Sequence, residues 1–490
     1  MAFSTINGFE FSKPRAQQKK TFVAIPSLPS LFKNYFKDPS WWLWNVVLKA
    51  SFGDVSEIDE EEGAALYSVI ERGTVPDDLR ELWVVIGRRG GKDAIMAFVA
   101  LYLACARNWN KEFHSGETIV GMIICPDRKQ GRIALNYMRS YCEQVPEFGR
   151  LVRGVLKESI SFRNGISIEI HTANFRSVRG YTIPFAILSE IAFFASEDSA
   201  NPDSEIINAI RPAMATVSNP LLMAISSPYA RTGELYKTFR NHYGKDDNSI
   251  LVVKGPTQAF NPSIDAKIVE HAFEEDPVSA ASEYGSLDNG IHFRTDVEGY
   301  ASLESIQACV AIGRRELAPG PENYFGFVDP SGGSVDSYTA AVAHREADGT
   351  LVLDATREMK PPFSPEAATE ALAKFFLSYR IRRIQGDHYA GEWPREQFRK
   401  HGIEYQISER NKSAIYAEAL PLINSARARL LDDPRLIAQI SGLERRTARS
   451  GKDSIDHPPG GHDDLANAAL GAVLTCCTTF VRTADDPGWS

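Results

Sequence analysis

The stretch Val84-Val85-Ile86-Gly87-Arg88-Arg89-Gly90-Gly91-Lys92-Asp93 decides how the N-terminal half of the chain is read. Three apolar residues end a strand, glycines and arginines make a turn, and "AIMAFVALYLACA" (94–106) continues with apolar residues at helical spacing. Such a turn gathers backbone N–H groups at a helix N-terminus, where phosphate is held and Lys92 reaches the β and γ oxygens. The candidate binding set is Gly87, Arg88, Arg89, Gly90, Gly91 and Lys92. A loop that ligates Mg²⁺ carries Ser or Thr after the lysine. This chain carries Asp93, and Ile86 stands where a G-x-x-x-x-G-K spacing puts its first glycine. A tight basic turn would carry the same letters.

Outward from that loop, the runs "LWVVIG", "TIVGMIIC", "SIEIHTA", "FAILSE" and "LLMAISSP" alternate with helix-like stretches between about residues 60 and 245. The alternation implies parallel strands joined by crossover helices. "FAILSEIAFF" (185–194) is an apolar strand ending at Ser189-Glu190, where nucleotide hydrolases place an Asp for Mg²⁺ and a Glu for the attacking water. A solvated strand end is the plainer reading of Glu190. Ser226 and Ser227 end a further strand, placed to sense the γ-phosphate, and Arg176 and Arg179 precede the Glu190 strand. The carboxylate at Asp93 and the hydroxyl at Ser189 are the ordinary magnesium pair with its members exchanged. The expectation is a rewired site in which Asp93 and Ser189 form the metal's surroundings.

Residues 1–59 read as an N-terminal adaptor or lid, irregular to about Pro39 and then helical in "SWWLWNVVLKASFG". Residues 60–245 form the nucleotide unit, and 246–320, rich in turn residues, a connector. A second mixed unit spans 321–482, with 483–490 as a tail. In it "YFGFVDPS" is a buried strand, "YTAAVAHREADGTLVLDAT" two strands around an Asp-Gly turn, and "SPEAATEALAKFFLSY" a helix with a Ser cap and Pro at N1. Asp329 and Asp387 end strands, and Asp463-Asp464 open the helix "HDDLANAALGAVLTCC". Carboxylates so placed are the oxygen ligands that hard divalent cations require, and a pair of cations clamps both oxygens of a phosphodiester displacement. Asp336 reads as an outer partner. Each Asp alone would serve as a turn or helix cap.

With 490 residues, 43% hydrophobic and 24% charged, the chain has an ordinary globular composition and length for two or more domains. No apolar run reaches a membrane span, no apolar leader opens the sequence, and the six scattered cysteines contain no C-x-x-C pair. A soluble, reduced, intracellular protein is expected. The net charge of −9 is uneven: residues 380–452 carry 15 Lys or Arg against 9 Asp or Glu. That excess allows a phosphate-facing surface, and equally a solvated helix face.

The two constellations in this order resemble the phage large terminase subunits, packaging motors that join an ATPase to a nuclease. "GRRGGKD", "ILSEIAFF" and "ISSP" occupy the phosphate-loop, Walker B and coupling positions; "FVDPSGG", "GDHYAG" and "GHDDLANA" occupy the nuclease positions. The resemblance implies an α/β chain with a P-loop (RecA/ASCE-like) ATPase domain on a parallel sheet and an RNase H-like mixed-sheet nuclease domain. It implies Lys92 on phosphate, Glu190 as catalytic carboxylate, Ser226 and Ser227 in coupling, and Asp329, Asp387 and Asp463 or Asp464 as nuclease metal ligands. ATP and Mg²⁺ are the implied cofactors, with Mn²⁺ an alternative at the nuclease. The implied partners are double-stranded DNA, a portal protein, a small terminase subunit and further copies in a ring. The implied setting is the cytoplasm of an infected cell, transiently on the procapsid and absent from the mature virion. Cleavage is expected to be largely sequence-independent, since nothing resembles a base-reading helix. A transposase- or resolvase-type nuclease with an inert loop, and a non-catalytic DNA-binding scaffold, are the rival readings.

Overall fold

The computed structural model describes residues 25–482 apart from 110–112, 114–115, 174–179, 195–198, 200, 335, 388–391, 448–452 and 459–460. β1 (Glu81–Ile86), β2 (Val120–Cys125), β3 (Val152–Val155), β4 (Ser159–Phe162), β5 (Ser167–Thr172), β6 (Phe185–Ser189), β7 (Leu221–Ser226) and β8 (Ile250–Gly255) form one sheet in the order β3-β4-β5-β2-β6-β7-β1-β8. The six strands from β5 to β8 in that order run parallel. β2, β6 and β7 are buried along their whole length, as strands covered on both faces must be. β3 and β4 add an antiparallel edge that no hydrophobic run announced.

The sheet continues past the expected edge at 245, because β8 pairs with every residue of β1. The N-terminal segment is helical from Leu28, well before Pro39: Leu28, Leu31 and Phe32 recur at helical spacing in Leu28–Tyr35, and a second helix spans Trp42–Phe52. Their buried faces share one core with Val84, Ile86, Ile95 and Phe98 of β1 and the loop's helix, Lys92–Cys105. That helix is apolar nearly all round because it is covered all round.

The second unit contains β9 (Val297–Gly299), β10 (Val310–Ala311), β11 (Tyr324–Asp329), β12 (Tyr338–Arg345), β13 (Leu351–Met359), β14 (Arg383–Gly386), β15 (Glu404–Ile407), β16 (Ala428–Leu431), β17 (Glu444–Thr447) and β18 (Asp453–Asp456). Seven of these form a sheet in the order β10-β16-β13-β12-β11-β14-β15, in which β12 alone runs against the others. A β13-β12-β11-β14-β15 core with its second strand reversed is the RNase H-like arrangement. The helix Pro365–Ser378 has the expected Ser364 cap and Pro365 at its start. The helix Asp464–Arg482 lies against β11, β12 and β13 through small residues. At Gly471 an added Cβ would stand 2.6 Å from the Phe327 ring, so this close approach sets how near Asp464 comes to β11.

A third, antiparallel sheet of order β18-β17-β9 also belongs to the second unit, and Glu444 of β17 accepts a hydrogen bond from Tyr229 of the first. No helix among the described residues is long and apolar enough to cross a membrane.

Candidate functional sites

Because β7 lies between β1 and β6, the loop after β1, Glu190 after β6 and Ser226-Ser227 at the end of β7 meet at one edge of the sheet. The loop is held by its carbonyls. Thr257 Oγ1 donates to the Arg88 carbonyl at 2.8 Å, Asn261 Nδ2 to that of Arg89 at 2.8 Å and Trp44 Nε1 to that of Gly90 at 2.8 Å. Three of its amides are engaged as well, Gly87 to the Gly255 carbonyl at 3.4 Å, Arg88 to that of Glu283 at 2.6 Å and Gly90 to that of Gly87 at 3.2 Å, so an anion would be met by the amides that follow, at the start of the helix. Gly91 is in the left-handed region at φ 85°, and a Cβ there would meet the Trp41 ring at 2.8 Å. At Gly87 a Cβ would stand 2.3 Å from Thr257 Oγ1. Both positions therefore require glycine.

Lys92 is buried, and its ammonium donates to the carbonyls of Ile86 and Gly87 at 3.1 Å each and to Ser227 Oγ at 2.8 Å, with Glu190 at 3.4 Å. Glu190 sits in the left-handed region at φ 53°, and its Oε2 accepts from Ser226 Oγ at 3.2 Å and from the Ser227 amide at 3.1 Å. A non-glycine residue there stores strain, which clusters at functional positions. Asp93 faces the same space, with Gln130 Nε2 donating to it at 2.8 Å. Burial first and Glu190 second raise its carboxyl above the usual range, against the lowering effect of Lys92, Gln130 and Arg89. A cation at this point would relieve both causes.

Ser189 is fully buried against the Cys125 thiol and is not among the residues lining the cavity. Of the expected exchanged pair, only Asp93 faces the ligand space. Arg176 and Arg179 lie outside the described residues. Arg88 lines the cavity and stands 3.4 Å from Glu283.

The cavity at this edge has a volume of about 840 Å³, suited to a nucleotide. Trp41, Tyr137 and Tyr141 also line it. Phe36 braces Trp41 and Tyr141, with ring centroids at 4.9 and 5.7 Å. These aromatics were not identified from the sequence, because they come from the N-terminal helices and from the helix Arg128–Gln144, far from any motif.

The second site lies at the ends of β11 and β14. Asn467, fully buried on the first turns of the last helix, donates to Asp329 Oδ2 at 2.9 Å and to Asp387 Oδ2 at 3.4 Å, while its own Oδ1 has no partner among the described residues. Burial raises the Asp329 carboxyl well above the usual range, and Asp464, Asp387 and Asp463 push it further, with Asn467 opposing. The adjacent aspartates differ in their surroundings. Asp463 is buried, bonded to Tyr416 Oη at 2.8 Å and paired with Lys412 Nζ at 3.1 Å. Asp464 accepts only the Ser337 amide at 3.2 Å among its side-chain bonds, and burial and Asp463 raise its carboxyl to about 6. Asp336, expected as an outer partner, stands with His462 and Asp464, their ligand atoms within 4.8 Å of one another.

Asp329, Asp387 and Asp464 gathered at one point, with the proton affinity of Asp329 and Asp464 raised and no Lys or Arg ion pair at either of those two among the described residues, fit a hard divalent cation. Asn467 and Lys412 carried no sequence signal: one is a letter in a small-residue helix, the other lies 51 residues from its partner Asp463.

Residues 66–286 match a family described as the N-terminal P-loop domain of uncharacterized protein MJ0330. Among solved structures the chain is similar to the large terminase of bacteriophage HK97, at 16% identity over 81% of this chain and 91% of that one, with a TM-score of 0.35. It is similar to the large terminase of a thermophilic bacteriophage in complex with ADP, at 14% identity over 82% and 95%, with a TM-score of 0.34. It is also similar to the large terminase nuclease of thermophilic phage G20c with bound magnesium, at 14% identity over 35% and 95%, with a TM-score of 0.31. No curated protein matches.

Proposed function

We propose that the chain is a DNA-packaging motor that hydrolyses ATP at the first site and cuts duplex DNA with divalent metal at the second. The observation that carries the reading is the convergence of Lys92, Glu190 and Ser227 on one point at the end of three neighbouring parallel strands. Lys92 would leave its loop carbonyls for the β and γ oxygens, and Glu190, held by the Ser227 amide, would orient or deprotonate water. Asp93 would hold Mg²⁺ directly or through water. Trp41, Tyr137 and Tyr141 offer ring faces to the base. In the second site Asp329, Asp387 and Asp464 would hold the metal, which would supply Lewis acidity for water activation and for the leaving oxygen. Asp463, engaged by Lys412 and Tyr416, would position the peptide that carries Asp464.

DNA, a portal protein, a small terminase subunit and a ring of identical chains belong to the same proposal. Many arginines of the basic 380–452 region are paired, among them Arg383 with Glu404, Arg410 with Glu418 and Arg429 with Glu346. The cleft of about 420 Å³ beside β15 is lined by Arg399 and by Arg395, which is itself paired with Glu392, and would be a surface for phosphate.

Two variants test the assignment. Glu190→Gln keeps shape and loses the carboxylate, so nucleotide binding should persist while ATP turnover falls by about 10²-fold or more. Asp387→Ala should abolish Mg²⁺- or Mn²⁺-dependent plasmid cutting and leave ATP turnover standing. Parental turnover in the first variant, or parental cutting in the second, would remove that residue from its site.

A further inference from the structure

A run of ring, hydrogen-bond, strand-pairing and ion-pair contacts leads from the end of β7 to the acidic site. Two residues beyond Ser227, the Tyr229 ring lies tilted against that of Phe193, three residues after Glu190, with centroids 5.2 Å apart, and the Tyr229 carbonyl accepts the Arg294 amide at 2.7 Å. Its hydroxyl crosses to the second unit and donates to Glu444 Oε2 at 2.8 Å. Glu444 opens β17 and also receives Arg446 at 3.0 Å; Arg446 reaches the His457 carbonyl at 3.4 Å. β17 pairs with β18 so that Glu444 stands opposite Asp456. Asp456 takes the Lys412 ammonium at 2.9 Å, and that same ammonium holds Asp463, the neighbour of Asp464, at 3.1 Å.

The resting contacts also contain a trigger. Lys92 donates to Ser227 Oγ, and Ser226 and Ser227 both donate to Glu190. An arriving γ-phosphate competes for the Lys92 ammonium, and its loss from Ser227 frees the segment leading to Tyr229. A cavity of about 300 Å³ lined by Phe193, Tyr229, Glu444 and Pro458 leaves room for that segment to shift against β17. Among the described residues the Arg446 Nε is buried without a hydrogen-bond partner.

We propose that nucleotide in the first site repositions the acidic site through Tyr229 and the β18-β17-β9 sheet, so that DNA cutting is nucleotide-gated. Tyr229 is then a positioning residue, acting through Glu444, β18 and Lys412. This rests on the ATPase and nuclease reading above, and the test separates the two.

Plasmid cleavage is measured with Mg²⁺, with and without ATPγS, in the parental chain, Tyr229→Phe, Glu444→Gln and the double variant, alongside ATP turnover. Hydrogen exchange of residues 453–457 is followed with and without ATPγS. In the parental chain ATPγS should change the cleavage rate about fivefold or more, the lower end of ordinary coupling, and should change exchange at 453–457. Tyr229→Phe keeps the ring on Phe193 and removes only the hydroxyl. It and Glu444→Gln should each bring the ratio within about twofold of unity at parental ATP turnover, and the double variant should add nothing. A parental ratio of one, or a ratio that survives Tyr229→Phe, overturns the proposal. If ATPγS binds but no plasmid is cut, the nuclease reading fails, and exchange alone decides: an unchanged 453–457 overturns the coupling. A chain that binds no nucleotide overturns both.

Discussion

Burial and the neighbouring Glu190 both disfavour a charge on Asp93, while Lys92 and Gln130 favour it. Its folded pKa lies above the unfolded one, so without metal its ionisation weakens the folded state as pH rises from the ordinary carboxylate range through the raised value. Bound Mg²⁺ reverses that cost by requiring the ionised form. The Mg²⁺-dependent ATPase rate should therefore rise with pH through the titration of Asp93, and higher Mg²⁺ should move the midpoint down. Asp93→Asn should lower the rate at saturating Mg²⁺ by about tenfold or more and lose that pH limb, since the loss of one transition-state contact worth about 1.4 kcal/mol is tenfold in rate. Steady-state rates at several pH values and Mg²⁺ concentrations check both; an unchanged profile in the variant would take Asp93 out of the metal's surroundings. Ser189→Asp should not rescue Asp93→Ser, because Ser189 sits against Cys125 and a carboxylate there would be buried unpaired.

The helix Asp464–Arg482 is what brings one aspartate to two strand ends, and its small residues were legible as a helix but not as a spacing device. The spacing appears only with Phe327 in place, 2.6 Å from the Cβ that Gly471 lacks. Gly471→Val should push this helix off β11, lower stability by about 1–3 kcal/mol and separate Asp464 from Asp329. Thermal denaturation and plasmid cutting should both fall while ATP turnover holds; retained cutting would show that the acidic site tolerates the shift. Other elements were legible or hidden for equally local reasons. β6 and β7 are long apolar runs and could be read directly. "VRGV", "SISF", "ERRT" and "DSID" are four-residue strands with polar faces, and only their partners make them strands. The loop at Gly87–Lys92 was readable as a turn into a helix because its glycines and arginines interrupt two apolar runs. The choice between Asp463 and Asp464 was not, since it depends on Lys412 and Tyr416 from another helix.

At the scale of the whole chain, a boundary drawn where hydrophobic alternation stops would cut through the first core. A fragment of 60–245 contains the loop, Glu190 and Ser226-Ser227, yet lacks β8 and the helices that cover the loop's own helix. Leu28, Leu31, Phe32, Trp44, Val46, Val47 and Leu48 are all at most 1% exposed. At about 1.5–3 kcal/mol for each such side chain, their removal forfeits on the order of 10–20 kcal/mol. That is of the same size as the roughly 5–15 kcal/mol that holds a domain folded. It also strips Trp44 from the Gly90 carbonyl and Thr257 and Asn261 from the loop. A fragment of 25–290, which keeps β8, both N-terminal helices and the residues bonded to the loop, should fold and bind ATP; 60–245 should show no cooperative thermal transition. Circular dichroism melts and a fluorescent ATP analogue distinguish them. A cooperative, nucleotide-binding 60–245 fragment would mean that the N-terminal helices and β8 cover the phosphate loop without being needed to form it.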